Sequence, residues 1–453
     1  MGILDGVKVI DFTHAYSGPF CTLNLANFGA EVIKVERING GDQSRSWAPI
    51  KNGYSGYYAS FNRGKKSITL DIASEEGKKI IFDLIKGADI VCSNFKVGTL
   101  ERYGIGYEDM KKVKPDIIYA TISGFGNKGA LSKYAAYDIV IQAMSGIMDV
   151  NGFADGGPTK VGPAIGDSYT GLILLLGIIT AYYNRLKTGK GQKVDATMLG
   201  SLFSMLEYPI LEYANADKII SRSGNACLYY APDDIYKVKD GYIALSVKSD
   251  ELWKEFCSKI GLTNSDNIKR FNSNEERIKL NDELKVLLET HMADMTRQEV
   301  EERLKDIDIA VSGVIGIEEA LEDEHLKARN MVIDVVDPML GKMKLVGNPM
   351  PFLEPGGNVP VRTEYAVAAD ERNTVVAHAV LGGPAGCDVA AGIELFCSPR
   401  QAFVLASGAV FPGPVGTASQ QKRFLVPPQR QTVFAAEMTS SGWWENGQTT
   451  VSE

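Results

Sequence analysis

The sequence predicts an α/β fold: a Rossmann-like parallel sheet forming a large domain, interrupted by a smaller α/β domain. Three observations carry this. Short apolar runs alternate with helical segments over roughly the first 200 residues, those runs are continuous instead of alternating, and a charged, helix-rich stretch with its own strand pair begins near Asn225. A strand covered by helices on both faces has no polar face to display, so its sequence loses the two-residue period.

In order, residues 7–12 read as a strand, 19–28 as a helix with Pro19 in its first turn and Gly29 beyond its end, and 31–36 as a second strand. That is one βαβ unit, and right-handed crossovers extend it into a sheet with helices on both sides. The pattern continues with a strand at 67–72, a helix at 74–86 opened by Ser74 and two glutamates, and a strand at 89–95. A helix at 107–114 and an Ile-rich strand at 116–123 follow. A long helix is expected from Asp167 to about Lys187, then a strand in QKVDATM and a helix over 199–214. Beyond Asn225, strands at 235–238 and 242–247 flank the turn at Lys239, Asp240 and Gly241, and amphipathic helices fill 251–321. MVIDVV and KMKLVG return the chain to strands. The expected division is a large domain over 1–224 and 327–366, a small domain over 225–326, and an atypical tail over 367–453. That tail holds one Lys and one Ile (Lys422, Ile393), shows no clear period, and reads either as a mobile extension or as a segment foreign to the fold.

Composition excludes several classes. A formal charge of −8 and a pI near 5.3 oppose general nucleic-acid binding, which needs clustered cations in excess. The opening MGILDGVKVIDF has no basic segment followed by an apolar run, and the apolar stretch at 171–183 is shorter than the roughly 20 residues of a bilayer span, so a buried helix and no membrane are expected. Cys21, Cys92, Cys227, Cys257, Cys387 and Cys397 show no metal-binding or disulfide spacing, which points to no metal site and a reducing cytoplasm. Four histidines (His14, His291, His325, His378) leave little imidazole chemistry, and the hydrolase elbow, zincin and P-loop motifs do not occur. Carboxylates and glycine turns remain.

Three stretches are candidates. The run 124–129, GFGNKG, matches GxGxxG but opens no clean helix, so a packing or active-site loop is favoured over dinucleotide binding. The turn 13–19, THAYSGP, lies between strand and helix at the carboxyl edge of the sheet, where such folds bind ligands; a plain connection is the alternative. In GPAIGDSYTG, Asp167 precedes an apolar helix and suits either a helix cap or a carboxylate nucleophile presented between small residues. Spacing does not decide between them.

Taken together, LDGVKVIDFTHAYSGP, GAEVIKVER, GGDQSRSW, FNRGKKSITLDI, SNFKVGTLERYGIGY, ISGFG, AYDIVIQAMSG, GPAIGDSYTG, KTGKGQKVDATM, GNACLYYAPDDIYKVKDGYIAL and EHLKARNMV resemble, in order over about residues 1–359, the family III CoA-transferases, which include formyl-CoA transferase and the carnitine and bile-acid CoA-transferases. The resemblance implies an interlocked homodimer that moves CoA between an acyl-CoA and a carboxylic acid, with CoA as substrate and no tightly bound cofactor. It places the catalytic carboxylate at Asp167, passing through an acyl-aspartyl anhydride and an aspartyl-CoA thioester. By the same resemblance Ala15, Tyr16 and Ser17 line the thioester site, Arg37 and Leu70 meet the nucleotide end, and Asn94, Phe95, Lys96, Arg102 and Tyr103 form the CoA channel. Tyr137 lies near the thioester, Trp47 on the substrate side, and Gly126 or the 15–17 turn supplies oxyanion donors.

Departures limit the substrate assignment. Formyl-CoA transferases have Gln where this chain has Tyr16 and a CoA-contacting Lys where it has Ala135, and their glycine run is missing from the comparable stretch 246–251. The related α-methylacyl-CoA racemases carry His at the position of Tyr137; without it, this chain lacks a second acid/base for proton exchange. A CoA-binding protein without catalysis is the reading to prefer if Asp167 only caps its helix.

Overall fold

The structure, a computed structural model, describes residues 2–263, 265–337 and 339–350, together with the backbone of four short strands in the C-terminal tail. Along the chain come β1 (Lys8–Asp11), α1 (Ser17–Asn27), β2 (Glu31–Glu36), the small hairpin β3 (Ile50–Lys51) and β4 (Tyr54–Ser55), α2 (Gly56–Asn62), β5 (Lys65–Thr69), α3 (Glu75–Lys86) and β6 (Ile90–Ser93). Then follow α4 (Thr99–Arg102), α5 (Tyr107–Val113), β7 (Ile118–Ser123), α6 (Asp138–Ser145), α7 (Ile147–Val150), α8 (Ile165–Thr188), β8 (Lys193–Thr197) and α9 (Met198–Ser204). Six strands pair in the order β5-β2-β1-β6-β7-β8, every pairing parallel. The order reverses at β1 and β6, so the turns after these two strands flank a crevice at the carboxyl edge, the place where open α/β sheets bind ligands.

Several boundaries move for identifiable reasons. β5 begins two residues before the expected strand, because Lys65 and Lys66 at its head read as a loop; Lys65 is fully buried and neutralised by Asp11 at 3.1 Å. The helix expected over 199–214 is broken into α9 and a second helix, Glu207–Ala216. Pro209 cannot continue an uninterrupted helix, and a fresh start at Glu207 places it in a first turn, where its missing N–H costs nothing. The stretch at 171–183, expected to be a buried helix too short to span a bilayer, belongs to the 24-residue α8, which by length and composition alone could cross a membrane. It packs against α1, α9, β7 and β8, yet Leu172, Leu176, Ile179, Tyr183 and Leu186 on its outer face stay exposed.

The chain separates into two compact units, one holding the residues up to Ile141, Pro163–Met205 and the chain from Lys327, the other holding Gln142–Gly162 and Leu206–Leu326. In the second, β9 (Asp233–Val238) and β10 (Gly241–Ser246) form the expected antiparallel pair, and β11 (Ala310–Gly313) adds a strand on the other side of β10. Four residues of mixed exposure between charged helices gave β11 no legible period. Helices cover this sheet with Trp253, Phe256, Leu284, Leu288 and Met292, all fully buried. In the first unit, β12 (Val332–Asp337) and β13 (Gly341–Val346) pair, among the described residues, only with each other, and Arg63 donates to the Val346 carbonyl at 2.9 Å. The tail contains two antiparallel pairs, Gly392–Ser398 with Gln401–Ser407 and Lys422–Leu425 with Thr432–Ala435, where no alternation was expected. The rest of 367–453, including His378 and Cys387, lies outside the described residues.

Candidate active site

Asp167 is not the cap of its helix. α8 starts at Ile165, so Asp167 sits in the first turn, and Ala164 at the cap position makes no side-chain bond. The cap comes from another helix. Asp138, the first residue of α6, accepts the Gly166 N–H at 2.7 Å. A side chain at 166 would bring its Cβ to 2.9 Å from that oxygen, so the Asp138 carboxylate would have to shift. Freed from capping, the Asp167 carboxylate faces Ser17 of α1, whose N–H and hydroxyl favour its charged form. The two helices approach closely at Gly171, where a Cβ would lie 2.7 Å from the Ser17 carbonyl. The N-termini of α1 and α8 thus converge on one carboxylate. Burial, reinforced by the Asp138 charge, outweighs the Ser17 hydrogen bonds and raises Asp167 to about 6.

Tyr16 and Tyr57, both close enough to feel the Asp167 charge, belong to an aromatic cluster. Tyr16 packs tilted against Phe61 with ring centres 4.5 Å apart, Phe61 tilted against Tyr57 at 4.9 Å, and Tyr57 meets Trp47 edge-on at 5.1 Å. The Tyr16 hydroxyl lies near Ser168, next in the chain after Asp167. Burial and the nearby Asp167 charge hold both the Tyr16 and Tyr57 phenols above their ordinary range.

A cleft of about 820 Å³ opens at the carboxyl edge and is lined by Arg37, Leu70, Phe95 and Tyr103, among others. A smaller one of about 200 Å³ shares Arg37 and Phe95 and reaches Thr13 and His14, hence the turn leading to Ser17. Lys96 and Phe95 line a third, beyond β6 and β7. Arg102 lies over the Tyr103 ring, 5.7 Å from its centre.

The structure therefore gathers Ser17 and Tyr16 toward Asp167, with Trp47 in the same aromatic cluster, and Arg37, Leu70, Phe95 and Tyr103 around one cleft. Other expected site residues are placed differently. Asn94, expected in the CoA channel, spends its amide on the His14 main chain, accepting from N–H at 2.9 Å and donating to C=O at 2.7 Å. The Gly126 N–H, expected as an oxyanion donor, goes to Ser123 Oγ at 2.9 Å, and that of Ala15 goes to Asp42. Tyr137 is 72% exposed in this chain. The GxGxxG run is a packing turn: a Cβ at Gly124 would strike Ala136 at 2.1 Å and one at Gly126 would strike Thr197 at 2.7 Å. Sequence reading missed Asp138, Ser168, Tyr57 and Phe61; the short α2 that carries the last two has no period by which to recognise it.

Comparison with known proteins identifies the family. Residues 4–361 match the model of CoA-transferase family III. The acetyl-CoA:oxalate CoA-transferase of Acetobacter aceti is 35% identical over 350 residues, covering 77% of this chain and 89% of that one. The succinyl-CoA:mesaconate CoA-transferase of Haloarcula hispanica is 33% identical over 81% of this chain and 95% of its own. A CAIB/BAIF family protein from Brucella suis has a crystal structure that superposes with a TM-score of 0.73 at 33% identity, covering 80% of this chain and 95% of that one. An α/β enzyme that transfers CoA is thereby defined, and the chain belongs to CoA-transferase family III.

Proposed function

We propose that this enzyme moves CoA from an acyl-CoA to a carboxylic acid with Asp167 as the nucleophile. The carboxylate attacks the thioester carbonyl; the C–S bond breaks and CoA leaves as thiolate, forming an acyl-aspartyl anhydride. The thiolate then attacks the aspartyl carbonyl, releasing the donor acid and leaving CoA on Asp167. The acceptor carboxylate attacks this thioester to give a second mixed anhydride, and the thiolate attacks the acceptor's carbonyl, producing the new acyl-CoA and restoring Asp167. No net proton or electron is consumed. The observation that carries the reading is that Asp138 caps α8 and leaves the Asp167 carboxylate facing Ser17.

CoA is proposed to lie along the carboxyl-edge cleft with Arg37 and Leu70 at its nucleotide end and Phe95, Tyr103, Lys96 and Arg102 along the chain, the cations meeting its phosphates. Tyr16, Tyr57 and Trp47 wall the acyl end. Relatives that act on oxalate, mesaconate and glutarate favour a dicarboxylic acid as acceptor or donor. We also propose a cytoplasmic, interlocked homodimer, supported by the exposed apolar face of α8, in which a small domain over 225–326 interrupts the large one. Mass spectrometry after exposure to a panel of acyl-CoAs tests the mechanism: one donor should leave CoA attached at Asp167, and Asp167→Ala should bind CoA without an adduct. No adduct with any donor would overturn the mechanism.

A further inference from the structure

Between β1 and α1 the main chain is held almost entirely by side chains from elsewhere. Asp11 accepts the Thr13 N–H at 2.8 Å, and Lys34 of β2 donates to the Thr13 carbonyl at 2.5 Å. Asn94, just past β6, grips His14 from both sides, and Asp42 accepts the Ala15 N–H at 3.2 Å. Lys34 and Asp42 are paired at 2.9 Å with side chains 0% and 1% exposed. Asp42 is itself fixed, its N–H bonded to Glu36 at 2.7 Å and its carboxylate to the N–H and hydroxyl of Ser44 at 2.9 and 2.8 Å. Ala15 adopts φ = +67°, a left-handed conformation that a residue with a Cβ enters at an energetic cost.

A buried ion pair rarely stabilises a fold more than well-packed apolar residues would, so this pair needs another explanation. Its contacts supply one. Every hold falls within two to four residues of Ser17, the donor to Asp167. We infer that Lys34, Asp42 and Asn94 are positioning residues for acyl transfer, fixing the 13–16 turn in the shape that delivers Ser17 to Asp167. The inference rests on the reading of Asp167 as nucleophile. Strained, polar backbone at a site of chemistry persists only when its surroundings over-determine it, and here three separate elements do so.

The test uses two charge-neutral changes on the full chain, Asn94→Leu and the double variant Lys34→Met/Asp42→Leu, with Lys34→Met/Asp42→Asn as partial rescue because the amide oxygen still accepts the Ala15 N–H. Folding is checked by circular dichroism and melting, so that one unfolded variant leaves the other to decide. Two readouts follow: kcat and KM for acyl-CoA, and the pH midpoint for carbodiimide labelling of Asp167, read by peptide mass spectrometry. The other groups facing Asp167, namely Asp138, Tyr16 and Tyr57, are untouched. We expect kcat to fall about 100-fold, as misplacement by about 1 Å does, with KM changed less than about 3-fold. Asp167 should also titrate at higher pH, having lost the Ser17 donors, and the Asn variant should lie between. A folded variant with unchanged kcat, or an unchanged Asp167 midpoint, overturns the positioning role. If the unmodified enzyme forms no adduct with any donor, the nucleophile reading fails, while the Asp167 midpoint still decides whether the turn is held by this clamp.

Discussion

The proposed nucleophile must be ionised to attack a thioester and attacks better when poorly solvated; burial and Asp138 raise Asp167 only to about 6, so it is still ionised at neutral pH while being poorly solvated. The expected consequence is a pH profile of kcat/KM that is level above about pH 6 and falls roughly tenfold per unit below it. Asp138→Asn keeps an oxygen for the Gly166 N–H but removes the charge, so its acid limb should move to lower pH. A profile without an acid limb between pH 4.5 and 8 would argue that Asp167 ionisation is not required. Stability should change in the opposite sense. The folded value near 6 lies above the ordinary 3.8, so a contribution that favours the folded state below pH 3.8 is lost as pH rises through about 6. Asp167→Asn should therefore gain on the order of 2 kcal/mol over the unmodified enzyme at pH 8, allowing for partial exposure, with the gain vanishing near pH 4. Urea unfolding at the two pH values checks it, and equal stabilities at pH 8 would refute it. Sequence could not separate cap from nucleophile at this position because Asp suits both; the cap is ruled out by Asp138, which takes the Gly166 N–H from 28 residues away.

At the scale of elements, the site is a contact between α1 and α8, and its closeness depends on glycine. Gly171→Ala would ordinarily strengthen a helix by about 1 kcal/mol. Here the added Cβ would sit 2.7 Å from the Ser17 carbonyl, a backbone atom that cannot swing aside. Overpacking of this kind costs about 1–3 kcal/mol, so a net loss of stability is expected, together with lower kcat as Ser17 is pushed from Asp167. An unchanged or higher urea midpoint would show that the helices are free to separate. Most of these elements were legible beforehand: β2 runs over 31–36 as expected, and Ser74 caps α3 through the Gly77 N–H. Continuous apolar runs and capping residues are local signals. Elements that were missed, α2, α6 and β11 among them, are short, and what places them is the packing of neighbours distant in sequence. Likewise, nothing local marks Lys34 or Asp42 as buried; each becomes tolerable only through the other.

At the scale of the whole molecule, the outer face of α8 carries Leu172, Leu176, Ile179, Tyr183 and Leu186 at 36–67% exposure, spaced by four, three, four and three residues. That spacing puts them in one stripe along the helix, the seam by which helices pair across an interface. The sequence showed the apolar run and the order of family motifs, but which side of α8 meets β7 and β8 depends on long-range pairing and was not readable. A contiguous exposed stripe of this kind is the surface proposed for association, with a second copy of the chain as its occupant. Two kinds of dimer separate on dilution. A face-to-face pair would dissociate as concentration falls, whereas interlocked chains cannot part without extensive unfolding. Mass photometry at nanomolar concentration is therefore expected to show twice the 49.2 kDa chain mass, with no exchange of subunits over hours when tagged and untagged enzyme are mixed. Leu176→Lys with Leu186→Lys places two charges where the partner would bury them and should reduce the yield of dimer on refolding. Monomer mass at every concentration would reject the dimer, and dimer mass with rapid subunit exchange would reject the interlocking while leaving the stripe as an interface.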